Sequence, residues 1–251
     1  MIFKKRFYIC KMKNIELAEQ LKEVFSTQPQ ITTREITSTL HTMFPGLSSN
    51  TISWRINQLK KDKLLYQIGR GLYTFYYKPE FSAELSLKSK RLYNKVKGIY
   101  SGEIVMWDTI LLNEIGGKDI PKYWVFIALN KDDLDSLFGE MLSFSKKVYL
   151  QPDKETTARY LIPQNEAIIL TALISETPTE RFGDYLSPSI EGILVNAWFE
   201  HEQFLQPIGL DIRKLYEQAF AKYNVNKSKL LRYAARRDKR KEINELLKTI
   251  E

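Results

Sequence analysis

The residues best suited to chemistry lie in the stretch "SNTISWRINQLKK", residues 49–61. Successive side chains of a helix are about 100° apart, so Asn50, Trp54, Asn57 and Lys61 share one side, flanked by Ser49, Ser53 and Gln58. Asparagine and glutamine amides pair with the edge of adenine, and serine bonds to donors or acceptors. Lys61 is placed for a phosphate. Trp54 can lay its ring on a sugar or a thymine methyl. Beyond this helix, Arg70 stands between Gly69 and Gly71. Glycines let a loop turn tightly and approach a duplex, so Arg70 suits a hairpin tip that reaches a minor groove or a phosphate. Plainer roles stay open for the same residues. Trp54 can instead cover a neighbouring domain or a second copy, and a helix of this kind can serve as a protein-binding face.

A second concentration of charge runs from Lys227 to Lys241, with Lys229, Arg232 and Arg236 as candidate phosphate contacts. The alternative is a solvated helix face, where lysine and arginine are common. Residues 1–80 hold 13 Lys and Arg against 6 Asp and Glu, residues 81–210 hold 13 against 18, and residues 211–251 hold 12 against 6, within a net charge of +8. Basic ends around an acidic middle are the footprint expected of a polyanion binder.

Catalytic patterns are sparse. His41 and His201 fall in different expected domains, and "HEQF" is not a zinc-binding His-Glu-x-x-His. Neither a phosphate loop nor a Gly-x-Ser-x-Gly elbow occurs. Asp132, Asp133 and Asp135 could hold a magnesium ion, but an acidic first helical turn explains them as well. The expectation is a non-enzymatic protein with no metal and no cofactor; the alternative is an enzyme acting on nucleic acid, with the later α/β domain as catalyst. One cysteine, Cys10, excludes an internal disulfide framework. With no apolar run near the roughly 20 residues that span a bilayer, and no secretory pattern at the start, a cytoplasmic protein without a membrane partner is expected.

These residues need elements to hold them. "IELAEQLKEVF" places Leu17, Leu21, Val24 and Phe25 at helical spacing. In "ITTREITSTLHTMFPG", Thr32 and Glu35 form a capping box, with Ile31 and Ile36 as a hydrophobic staple. Ile36, Leu40 and Met43 or Phe44 supply its buried stripe. Ser48 or Ser49 caps the third helix, which buries Ile52, Ile56 and Leu59. "LLYQI" and "LYTFYY" read as strands around the Gly-Arg-Gly turn. Three short helices and a hairpin form the order of a winged helix-turn-helix, expected over residues 1–80. Dimers on palindromic sites go with that arrangement.

"KPEFSAELSLKSKRLYNKVKGIYSG" reads as a lysine-rich connector with some helix, and the domain boundary is expected near residues 78–90. A mixed α/β domain is expected over 90–251, ending in basic helices, so the fold class is α+β. Its strands are "EIVMW", "YWVFIAL", "KKVYL" and "AIILTAL"; its helices include "KDDLDSLFGEMLSF", "DKETTARYL" and "SPSIEGILVNAWFE", the last with Pro188 near its first turn. In "DIRKLYEQAFAKY", Ile212, Leu215, Tyr216, Ala219, Phe220 and Tyr223 form a core-facing stripe.

Four stretches together resemble the AbiEi-like antitoxins of type IV toxin-antitoxin systems and a related bacterial family of unknown function. They are "TTREI…SSNTISWRINQLKKDKLLYQIGRGLYTF", "YSGEIVMWDTILLNEIGG", "YLSPSIEGILVNAWFE" and "AFAKYNVNKSKLLRYAARR". The resemblance implies a winged helix that represses its own promoter at inverted repeats. It also implies an α/β domain that neutralises a neighbouring nucleotidyltransferase toxin indirectly, without a stable complex. It points to residues 49–61 and Arg70 for DNA and to no residue for neutralisation.

Overall fold

The computed structural model describes residues 14–117 and 120–250, so Cys10 and the basic start of the chain lie outside the described residues. The fold is mixed α+β and ends in basic helices. The chain divides into two compact units, Met1–Lys78 and Pro79–Glu251.

In the first unit, α1 (Asn14–Val24) buries Leu17, Ala18 and Leu21, and Phe25 follows them inward. Val24, expected in that stripe, is exposed. The buried arc runs from Leu17 through Leu21 and Phe25 to Ala18, and Val24 falls beyond its edge. A two-residue strand, β1 (Ile31–Thr32), leads into α2 (Thr33–Met43). Here Glu35 N donates to Thr32 Oγ1 at 3.2 Å and Thr32 N donates to Glu35 Oε2 at 2.7 Å, which closes the capping box. Ile31 and Ile36 are fully buried beside it, as a staple requires. Helix α3 (Ser49–Lys61) and the strands β2 (Tyr66–Gly69) and β3 (Leu72–Thr74) complete the unit. Its three strands are antiparallel in the order β1-β3-β2. The last strand is shorter than "LYTFYY" suggests. It stops at Thr74, where Phe75 turns inward to stack on Phe25 and leaves Tyr76 and Tyr77 exposed.

The second unit begins at Pro79. Phe81, Ala83 and Leu85, read from sequence as part of a connector, are buried in its core. Their spacing is two, the period of an extended chain lying on an apolar surface. Helix α4 (Leu87–Lys97) follows. The elements after it are β4 (Ile104–Asp108), α5 (Thr109–Gly116), β5 (Tyr123–Leu129), α6 (Leu134–Leu142) and β6 (Val148–Leu150). A helical turn α7 (Lys154–Thr156) continues as a π-helical segment, Thr157–Leu161, before β7 (Glu166–Ala172).

With β8 (Thr179–Phe182) and β9 (Tyr185–Pro188) added, the six-stranded sheet has the order β6-β7-β5-β4-β9-β8. Strands β5, β6 and β7 are parallel, β4 runs against β5, and β9 lies parallel to β4. The hairpin of β8 and β9 has no counterpart in the sequence-based expectation. Strand β8 is polar and half exposed, which erases the apolar signal of a strand. Pro188 ends β9 directly before Ser189, the N-cap of α8 (Ile190–Glu200). Gly192 permits close approach there: a Cβ at that position would lie 2.7 Å from the Pro178 carbonyl oxygen.

Helices α9 (Ile212–Lys222), α10 (Lys227–Arg236) and α11 (Arg240–Ile250) close the chain. On α9, Leu215, Tyr216 and Ala219 are buried, and Ile212, Phe220 and Tyr223 pack beside them as the stripe predicts. Among the described residues no helix is long and apolar enough to cross a membrane.

Candidate nucleic-acid interface

Helix α3 starts at Ser48, whose hydroxyl accepts from Thr51 N at 3.2 Å. Ile52, Ile56 and Leu59 are buried, each such side chain stabilising by about 1.5–3 kcal/mol. With that side inward, Ser49, Asn50, Ser53, Trp54, Asn57 and Lys61 are exposed and Gln58 is half-buried. All the residues chosen from the sequence on this helix therefore stand on its open side within the first unit.

A residue the sequence reading passed over explains how Trp54 is held. Arg55 is 5% exposed, and its Nη1 donates to Asn14 Oδ1 at 2.9 Å. Its guanidinium lies 5.2 Å from the Trp54 ring centroid, within cation–π range. Trp54 keeps 53% of its surface exposed. The signal for Arg55 was present, since 52, 55, 56 and 59 are the i, i+3, i+4 and i+7 of one buried face. An arginine there reads as solvated until a partner is seen.

Arg70 is exposed at the turn between β2 and β3. Gly71 adopts φ +70°, the left-handed region that suits glycine. Its carbonyl oxygen accepts from Thr33 N at 2.9 Å and from Thr33 Oγ1 at 3.2 Å, so the tip is anchored to the first turn of α2. Lys60 Nζ donates to Gln67 Oε1 at 2.6 Å and ties α3 to β2. The helix and the arginine-tipped hairpin are thereby fixed to one small framework.

The second unit treats its three candidates differently. Lys229 Nζ lies 3.0 Å from Glu191 Oε2, whose side chain is only 6% exposed. Glu191 also accepts from Ser189 Oγ at 2.5 Å and from Asn226 N at 3.0 Å. Lys229 thus has a structural partner where a phosphate contact was expected. Arg232 and Arg236 remain exposed, one turn apart on α10, while Leu230, Tyr233 and Ala234 face inward. With Ser228, Arg240 and Glu176 they line a groove of about 630 Å³. Arg236 pairs with Glu176, and the pairing holds the Glu176 carboxyl below its ordinary range. Arg240 was absent from the sequence-based choice.

Arg237, next to these, points the other way. It donates to Asn196 Oδ1 at 2.6 Å, lies 3.3 Å from Glu200 Oε1, and stacks 3.7 Å from the Phe199 centroid. Burial raises the Glu200 pKa, and Arg237 opposes that rise.

The remaining carboxylates have local work. Asp132 and Asp133 form a 3-10 turn capped by Asn130, and Asp135 opens α6. Asp133 accepts from Tyr100 Oη at 2.8 Å, and burial with this hydrogen bond pushes Tyr100 up to about 12. Among the described residues, no cluster of three or more His, Cys, Asp and Glu side chains has the arrangement of a metal site. Buried Asp108 caps α5 by accepting from Ile110 N and Leu111 N, and its other oxygen accepts from Ser89 Oγ.

Residues 51–251 match the family of unknown function DUF6577. The match begins inside α3 and takes in Arg70 and both basic helices. No curated protein matches the chain.

Proposed function

We propose that this chain, which belongs to the family of unknown function DUF6577, is a transcriptional regulator that binds double-stranded DNA through its first unit. The observation that carries this reading is the open side of α3. There Asn50, Ser53, Trp54 and Asn57 stand exposed beside Lys61, and an arginine-tipped hairpin is fixed to the same framework. The element order, three helices and a hairpin with β1 added to its edge, supports a winged helix-turn-helix. In such a unit α3 enters the major groove with its early residues against base edges. Asn57 and Asn50 supply paired hydrogen bonds to adenine, and Arg70 and Lys61 meet the backbone.

In this reading the chain is a cytoplasmic antitoxin of the type IV class that binds inverted repeats in its own promoter as a homodimer. The second unit neutralises a nucleotidyltransferase toxin indirectly. It acts by binding and not by catalysis. Asp108, Glu191 and Glu200, the buried carboxylates, are committed to a cap and to ion pairs, which supports that role.

Gel shifts on the fragment upstream of the reading frame test the proposal. Asn57→Ala and Arg70→Ala are each expected to weaken the shift, and unchanged shifts for both would remove α3 and the hairpin as the DNA-binding surface. The antitoxin half is tested by growth rescue, with the chain co-expressed beside the nucleotidyltransferase of the adjacent frame.

The exposed ring of Trp54 favours a second reading, a protein-binding module. Its signature would be a captured protein whose affinity is flat with salt and falls on Trp54→Ala, with no DNA shift.

A further inference from the structure

The geometry points to a phosphate-gripping groove on α10 and α11, lined by Ser228, Arg232, Arg236 and Arg240, that takes a nucleic-acid backbone and that Glu176 occupies in the unbound chain as a stand-in for a phosphate. This rests on the reading of the chain as a nucleic-acid binder, but it concerns the second unit, and it adds an occupant and a competitor to the groove.

Three observations carry it. First, the donors are arranged for a repeating anion. Ser228, Arg232 and Arg236 follow one another at four-residue steps along the exposed stripe of α10, about 6 Å apart along the axis at 1.5 Å per residue. Arg240, at the start of α11, lines the same groove. Guanidinium groups match phosphate oxygens in paired geometry. Arg232 and Arg240 form no ion pair with any of the described residues.

Second, the groove already contains a carboxylate. Glu176 pairs with Arg236, and Arg232 adds to the attraction that keeps Glu176 ionised. A carboxylate on a guanidinium presents two oxygens much as a phosphodiester does.

Third, Glu176 is held there by a strained segment. Residues 173–178 pass from β7 to β8. The segment is seated on both sides of Glu176. Thr177 Oγ1 donates to Ile174 O at 2.6 Å and lies 3.1 Å from Tyr233 Oη on α10. Ser189 N donates to Pro178 O at 2.8 Å. Glu176 itself adopts φ +61°, which side chains other than glycine rarely take. Such an outlier suggests a functional constraint. Here the constraint is to present one carboxylate to the arginine row.

The consequence is competition. A backbone phosphate must displace Glu176 from Arg236, so the groove binds polyanions more weakly than its arginine count allows. The partner must offer a row of phosphates, because a single small anion gains too little to replace a carboxylate already in place.

The test uses the full chain and a fluorescent 20-base-pair DNA duplex of random sequence, which removes base reading by α3 from the measurement. Anisotropy titrations across a range of salt give the slope of log affinity against log salt. Arg232→Gln with Arg240→Gln is expected to flatten that slope by about two, one per lost phosphate contact. Glu176→Gln is expected to tighten binding about two- to five-fold, the most that an exposed ion pair withholds. Glu176→Gly removes the same carboxylate while suiting the left-handed backbone, so it must show the same gain if the segment stays folded. An unchanged slope in the double variant, or no gain in either Glu176 variant, would overturn the inference and leave the regulator reading standing. Normal promoter shifts for Asn57→Ala and Arg70→Ala beside a groove-dependent slope would do the reverse. Wild-type protein that binds neither duplex but binds phosphatidylserine vesicles through Arg232 and Arg240 would overturn both.

Discussion

Helices α3 and α10 each bury one face and turn a polar stripe outward, but the stripes carry different chemistry. On α3 the exposed residues among those chosen are two amides, two hydroxyls, an indole and one cation, Lys61. On α10 the exposed stripe is Ser228, Arg232 and Arg236, with no amide among them. Amides read base edges, whereas guanidinium groups hold phosphates of any sequence. Beneath α3 the buried Arg55 donates to Asn14 Oδ1. Beside α10, Arg237 and Lys229 each face a buried carboxylate, Glu200 and Glu191. One helix thus has the composition of a selector and the other that of a clamp, and the framework of the clamp holds two buried, cation-paired carboxylates.

The strongest way to break this contrast is to attack that framework. Arg237→Ala leaves Glu200 buried without its cation, and removing one partner of such a pair costs about 3–5 kcal/mol. The pH dependence has a definite sign. Glu200 has a raised folded-state pKa, and it rises further once Arg237 is gone. Protonation then relieves the defect, so the variant's deficit is smallest at acid pH and grows as pH rises through the raised pKa. Urea unfolding of wild type and variant at about pH 5 and pH 8 measures this, and an equal deficit at both would mean that Glu200 is not the cause.

A smaller effect separates selector from clamp. Asn57→Ala is expected to cost about 1–3 kcal/mol of preference for the promoter fragment over a scrambled duplex, with the salt slope intact. Arg232→Gln with Arg240→Gln should lower affinity for both duplexes alike. If Asn57→Ala weakens both equally, α3 is gripping and not reading.

The smallest effect compares the two helix starts. Ser48 caps α3 and Asn226 caps α10, accepting from Thr51 N at 3.2 Å and from Lys229 N at 3.0 Å. Alanine at either position should cost about 1 kcal/mol in a thermal melt. A loss confined to one would show that the other helix is held by its packing alone.

What the sequence determined by itself was local. The Thr32–Glu35 box, the Ser48 cap, the buried Ile52, Ile56 and Leu59, and the outward set from Asn50 to Lys61 all follow from spacing within a few turns, because helix geometry and capping depend on near neighbours. The apolar strands β5 and β7 were legible for the same reason. The tertiary structure alone decided which charges are free. Lys229 and Arg236 look alike in sequence, yet one meets Glu191, 38 residues away, and the other Glu176, 60 residues away. Polar β8 became a strand only by pairing with β9, and Phe81, Ala83 and Leu85 became core only because a sheet lay beneath them. Periodicity records which side of an element faces inward. The partner on that side, or on the other, is set by contacts between distant parts of the chain, and no local pattern encodes them.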